Sequence, residues 1–265
     1  MRLGAALRDH WPEYLMEAAE LGLFMMSACA FTVLFFHPDS PVPGALPDLL
    51  TRRLLVGIAM GLTAIALIYS PLGKRSGAHF NPSLTLTYLR LSRVAPADAL
   101  FYVLAQFAGG LLGVFVAGLV LGPRLGHAAV NYAATLPGPR GAAVAFVAEL
   151  AISSGLMTVV LVVSSRPRLA RFTGLFAAAL VATYITLEAP LSGMSMNPAR
   201  SFGSAFFARE PTALWIYFVA PPLGMLLAAE AYVRVRGGRA VACAKLYHDN
   251  PSRCIFCAFW RTRDA

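Results

Sequence analysis

Six long apolar runs set the terms for this 265-residue chain: Tyr14–Phe36, Leu54–Tyr69, Ala97–Leu121, Ala142–Ser164, Phe172–Ala189 and Ala213–Val233. All but the shorter second run approach the roughly 20 residues an α-helix needs to cross the hydrocarbon core of a bilayer. No water reaches that core, so every backbone N–H and C=O must be satisfied within the chain, and a helix does this alone. Charge is scarce to match, at 13% of residues, against about 25% in soluble domains. The fold class expected is an all-α membrane protein with six transmembrane helices. The polar start "MRLGAALRDHWPEY" carries no cleavage-site pattern, so no removable signal peptide is expected.

Between the runs one short phrase occurs twice, as "SGAHFNPSLTL" (Ser76–Leu86) and "SGMSMNPARSFG" (Ser192–Gly203). The openings "AAELGLFMMS" (Ala18–Ser27) and "VAELAISSGLM" (Val147–Met157) also echo one another. The chain therefore reads as two repeats: an N-terminal segment 1–13, a first repeat 14–121, a loop 122–141, a second repeat 142–234 and a tail 235–265. Three spans per repeat is an odd number, so the repeats cross the membrane in opposite senses. Asparagine is a favoured N-cap and proline a favoured first helical residue. Short helices are thus expected from Pro82 and Pro198, capped by Asn81 and Asn197. About ten residues rise only some 15 Å, too little to span. These are re-entrant half-helices, and their positive ends should meet near the midplane.

There the two carboxamides offer N–H donors. Extended backbone at Gly77, Ala78 and His79, and at Gly193, Met194 and Ser195, should offer carbonyl acceptors. Such a thread suits small neutral molecules that hydrogen-bond, whereas a bare ion would lose its hydration without replacement ligands. The net charge of +9 could suggest nucleic acid, but its placement is topological. With the N-terminus inside, sixteen of the 22 Lys and Arg fall on inner segments, including Arg2, Arg239, Arg261 and Arg263. This positive-inside bias puts both termini in the cytoplasm and leaves the lipid bilayer, not nucleic acid, as the partner.

The paired "HFNPS" and "SMNPARS", the two Ala–Glu openings and "AQFAGGLLG" in the third span resemble the aquaporin, or major intrinsic protein, family from about residue 13 to residue 236. That resemblance implies six helices plus two half-helices, a passive channel for water and small uncharged solutes, and a homotetramer with one pore per subunit. It implies that Glu20 and Glu149 anchor the re-entrant loops, and that Gly109, Gly110, Gly113 and Gly224 sit at close helix crossings. It also implies a selectivity constriction formed by Arg200, Ile185, Met194 and either Met60 or Gly61. Strict water channels of the family carry histidine where Ile185 stands, and glycerol channels build an aromatic wedge that Met194 does not supply. Ser201, Ala205 and the pair Tyr217–Phe218 lean to the water type. The expectation is a filter passing water and small uncharged solutes such as glycerol, while excluding ions and protons.

Two rivals stay open: a secondary transporter built on the same inverted repeats, and a structural tetramer with a closed pore. No nucleophile–base pair lies in the spans, so no enzyme is expected. His79 is expected to orient loop backbone, and Glu188 to satisfy N–H groups of the outer loop. The tail pattern Cys243-x4-His248-x5-Cys254-x2-Cys257 suits zinc, with free thiols or lipid acylation as the alternatives. No other cofactor is expected, and nothing in the pore reading depends on the tail.

Overall fold

The computed structural model describes residues 3–237 and 240–257. Arg2, Arg239, Arg261 and Arg263 of the inner basic set lie outside the described residues. Among the described residues eleven α-helices follow one another: α1 (Leu3–Phe36), α2 (Pro41–Ala45), α3 (Leu49–Tyr69), α4 (Pro71–Ser76), α5 (Pro82–Arg90), α6 (Pro96–Leu121), α7 (Ala142–Ser164), α8 (Thr173–Leu187), α9 (Ala189–Ser192), α10 (Pro198–Ala208) and α11 (Leu214–Arg236). Six regions of the described chain are long and apolar enough to cross a membrane, and α5 and α10 are the two short helices between them.

The packing repeats. Helix α1 packs on α6 as α7 packs on α11, and α3 meets α8 where the halves join. Each half-helix also lies against the third long helix of the opposite repeat: α10 on α6, and α5 on α11. Contacts paired in this way are what two inverted copies produce. The outward faces carry large apolar side chains such as Leu62, Leu112, Leu119 and Val147, as a surface facing lipid requires.

Two helices start earlier than the apolar runs suggest. The 1–13 segment was expected as a polar terminus, yet α1 begins at Leu3. Its polar residues are partnered across the fold: His10 Nδ1 lies 2.8 Å and Tyr14 OH 2.7 Å from Asp98 Oδ1, and Arg75 Nε donates to Glu13 at 3.0 Å. Helix α3 begins at Leu49, where the Asp48 carboxylate caps Thr51 N at 2.7 Å, and so takes in Arg52 and Arg53. Arg53 donates to Thr186 O, while Arg52 donates to Phe35 O and lies over the Phe36 ring.

Small residues bring the helices close, as is usual inside membranes. A Cβ on Gly113 would lie 2.3 Å from Gly22 O on α1, whereas one on Gly118, in the same helix, would meet nothing within 4 Å. Alanine is worth up to about 1 kcal/mol over glycine in an open helix position, but overpacking costs about 1–3 kcal/mol. In thermal unfolding of the detergent-solubilised protein, Gly113→Ala should lower the midpoint and Gly118→Ala should leave it level or raise it. Equal effects would place the α1–α6 seam elsewhere.

Candidate transport pore

The two half-helices begin where their caps demand. Asn81 Oδ1 accepts from Ser83 N at 2.9 Å, and Asn197 Oδ1 accepts from Ala199 N at 3.1 Å and Arg200 N at 3.2 Å. The capping oxygens face inward, so the amide nitrogens face the other loop. Asn81 Nδ2 donates to Met196 O at 2.8 Å, and Asn197 Nδ2 donates to Phe80 O at 2.7 Å. A carboxamide carries two N–H bonds, so each asparagine spends one on its counterpart's loop and keeps one. The sequence reading had left both free.

Neither loop is the plain extended strand expected at Gly77–His79 and Gly193–Ser195. The backbone of Gly77, Ala78 and Phe80 is left-handed, with φ of 110°, 57° and 29°, and His79 is not. Gly193, Met194 and Met196 repeat the pattern with φ of 80°, 53° and 56°, again skipping the third residue. Glycine adopts this region freely, but each other residue there costs about 1–3 kcal/mol. Such curled backbone also leaves N–H groups without helix partners, and buried N–H groups need acceptors.

Buried acids supply them. Glu149 Oε1 accepts from Ser195 N at 2.7 Å and Ser192 Oγ at 2.7 Å, and its Oε2 accepts from Met196 N at 2.8 Å. In the first repeat two acids divide that work. Glu17 Oε1 accepts from His79 N at 2.9 Å, and its Oε2 accepts from Phe80 N at 2.6 Å and Gln106 Nε2 at 2.7 Å. Glu20 accepts only from Ser76 Oγ, at 2.9 Å, which itself accepts from Ala78 N. The backbone anchor expected at Glu20 thus lies at Glu17, about one turn earlier on α1. Hydrogen bonds to a charged group contribute about 1.5–3 kcal/mol each, so two per loop are of the size needed to offset the backbone strain.

A cavity of about 460 Å³ runs past the paired caps. It reaches from Arg53 to Ile68 along α3, roughly 22 Å at 1.5 Å per residue. Its wall is largely apolar and includes Met60, Ile185 and Met194, with Asn81, Asn197, Arg200, His79, Gly193 and Ser195 among the lining residues. Sequence reading had not picked out Phe24, Val56 and Leu246, which line it too. Three of the expected pore residues lie outside this lining. Gly61 faces the α8 seam, where a Cβ would sit 3.0 Å from Ala178 O. Of the pair Met60 and Gly61, it is Met60 that faces the cavity. Gly77 lies beneath the ring of Phe256 and gives its carbonyl to Leu246 N at 3.1 Å, and Ala78 is fully buried.

Arg200 leaves its Nη1 buried without a protein partner among the described residues. Glu188 does not hold outer-loop N–H groups as expected: both carboxylate oxygens are buried without a hydrogen-bond partner among the described residues. Ser201 bonds Thr135 and Ser195 through its hydroxyl rather than the pore.

The tail does not stand apart. His79 Nε2 lies 2.8 Å from Ala244 O, so it carries the proton, and its ring stacks on Phe256 at 5.3 Å. Lys245 Nζ donates to Lys74 O at 2.6 Å and Arg253 O at 2.8 Å, and burial pushes this ammonium's pKa below its usual value. The Cys243, His248, Cys254 and Cys257 ligand atoms all lie within 4.8 Å of one another.

With this geometry in place, the relatives can be named. The profile of the family described as Major intrinsic protein matches residues 8–232. The chain belongs to that family. It is 36% identical over 183 residues to Aquaporin NIP1-1 of Zea mays, covering 68% of this chain and 62% of the maize protein. It is also 36% identical over 184 residues to Glycerol uptake facilitator protein-like 6 of Lactiplantibacillus plantarum, covering 66% of this chain and 82% of that one. So the match spans less than two thirds of the maize protein's length. The X-ray structure of the aquaglyceroporin from Plasmodium falciparum overlays with a TM-score of 0.70 at 18% identity, covering 88% of this chain and 99% of that one, which establishes the shared fold.

The two acids of α1 can be separated by experiment. Glu17 accepts with both oxygens, so Glu17→Gln turns a donor either toward His79 N or toward Phe80 N and Gln106, an orphaning worth about 1–3 kcal/mol. Glu20→Gln keeps the one acceptor that Ser76 uses. Thermal unfolding should show the larger loss for Glu17→Gln, and the reverse order would contradict the assignment.

Proposed function

We propose that the cavity is a passive channel for water and small uncharged solutes such as glycerol. The observation that carries this reading is the reciprocal pairing of Asn81 and Asn197, which leaves one N–H on each inside a largely apolar bore. A molecule that both donates and accepts hydrogen bonds replaces its lost solvent there. Small cations meet two positive helix ends and the Arg200 guanidinium, and are turned away. The relatives, an aquaporin and a glycerol uptake facilitator by name, point the same way.

Met60, Ile185, Met194 and Arg200 form the constriction in this reading. Three of the four are apolar, and Ile185 donates no hydrogen bond, so the filter is expected to admit glycerol as well as water. Glu17, Glu20 and Glu149 are all committed to holding the loops or their serines, which leaves a coupled transporter no carboxylate beside the caps. In this reading the protein works as a channel rather than an enzyme, forms the homotetramer that its family resemblance implies, and keeps both termini in the cytoplasm, where the basic residues concentrate.

Stopped-flow measurements on reconstituted vesicles test this with water, glycerol, urea and ammonia on one preparation. Fast, non-saturating water flux with measurable glycerol flux is expected, and flux that saturates with solute would favour a transporter. Ile185→His should lower the glycerol-to-water ratio, and Arg200→Val should raise urea and cation leak. A rise in glycerol flux with Ile185→His would refute its placement in the filter.

A further inference from the structure

The tail folds back on the pore for a reason its sequence only hints at. Cys243 Sγ lies 3.5 Å from Cys254 Sγ and 3.6 Å from Cys257 Sγ, and His248 Nε2 lies 3.0 Å from Cys257 Sγ. A disulfide would need about 2.05 Å, and all three tail thiols are free. A tetrahedron with zinc–sulfur bonds of about 2.3 Å has sulfur–sulfur edges of roughly 3.8 Å. Two of the sulfur–sulfur separations are thus close to that edge, and all four ligand atoms, drawn from a stretch of 15 residues, converge within 4.8 Å of one another. Two backbone N–H groups, of Lys245 and Cys257, point at the sulfurs of Cys243 and Cys254, each at 3.5 Å, where they would orient and partly neutralise thiolate ligands.

The same segment covers one mouth of the cavity. Leu246 lines the cavity and donates its N–H to Gly77 O, while Ala244 O receives His79. Phe256, between two of the cysteines, covers Gly77 and stacks on His79. Arg93 Nε donates to Val241 O just ahead of the cluster. The segment has little regular structure of its own, and small units of this kind commonly fold around a metal.

We propose that Cys243, His248, Cys254 and Cys257 bind one zinc ion per chain, and that the ion fastens the tail across the mouth lined by Leu246. The ion draws the three cysteines together as thiolates, releasing their protons on binding, and the neutral His248 imidazole completes the set. Phe256 and Leu246 are then held against the first re-entrant loop. The ion has a structural role with four protein ligands, and the channel's chemistry does not pass through it. The second half of the proposal rests on the channel reading above.

The test uses full-length protein purified in detergent, equilibrated with zinc chloride and desalted, with metal counted by mass spectrometry. One zinc per chain is expected, with none in the Cys254→Ser/Cys257→Ser double variant. Replacement by cobalt should give the intense visible absorption of a tetrahedral thiolate site. Cys257→His, a ligand zinc also accepts, should restore binding and so separates ligation from general misfolding. Wild-type protein that leaves desalting without zinc, or a double variant that retains it, overturns the site. Fastening is read separately, by trypsin cleavage within the tail and by water flux. Chelation should speed cleavage and raise flux several-fold in the wild type and change neither in the double variant. If metal binds but cleavage and flux ignore chelation, the fastening is wrong. If vesicles shrink no faster than empty ones, the channel reading fails, while the zinc count and the trypsin result still decide the site.

Discussion

The structure depends on buried carboxylates that hold curled backbone inside a membrane. Re-entrant loops are forbidden at that depth unless their polar groups find partners, and each loop here needs non-glycine residues in the left-handed region. Glu149 and Glu17 resolve both problems together, accepting the N–H groups that the curl exposes. Without them the curled backbone ahead of each half-helix would hold buried N–H groups with no acceptor. With them, Asn81 and Asn197 arrive close enough to bond each other's loops, and the bore follows. An acid that looks like a functional site in a transmembrane helix is here a structural anchor one step removed from the pore.

The two repeats solve the same problem with different means, and the difference has consequences. The second repeat uses one acid for its loop and its serine, while the first divides the task between Glu17 and Glu20. The first loop is also the one that the tail covers, through Gly77, His79 and Phe256. The counterpart of Gly77, Gly193, instead lies against Thr135 and Leu136 of the loop between repeats. Each re-entrant loop is therefore backed by a non-repeated segment, so the inverted symmetry is confined to the helices and broken at both mouths.

Local chemistry was legible in the sequence and long-range pairing was not. Asn81–Pro82 and Asn197–Pro198 start helices because capping involves neighbours within three residues, and the structure keeps both starts. Glu17 was overlooked although "EYLMEAAE" sets three acids along α1, because choosing among them needs the rotation of α1 against α6 and the loop. The rotation of α3 against α8 likewise decides that Met60 faces the bore and Gly61 faces α8. Leu3–Glu13 and Arg52–Arg53 looked too polar for helices at the membrane, since their compensation comes from Asp98, Arg75, Phe35 and Thr186, all distant in sequence. Glu188 failed for the opposite reason: its neighbours suggested a partner that the fold does not bring near.

Cryo-electron microscopy of the protein in lipid nanodiscs reads the central arrangement most directly. The density should show α5 and α10 entering from opposite faces, with Asn81 Nδ2 on Met196 O and Asn197 Nδ2 on Phe80 O, both within hydrogen-bonding distance. Half-helices entering from one face, or asparagines turned away from each other's loops, would contradict the account.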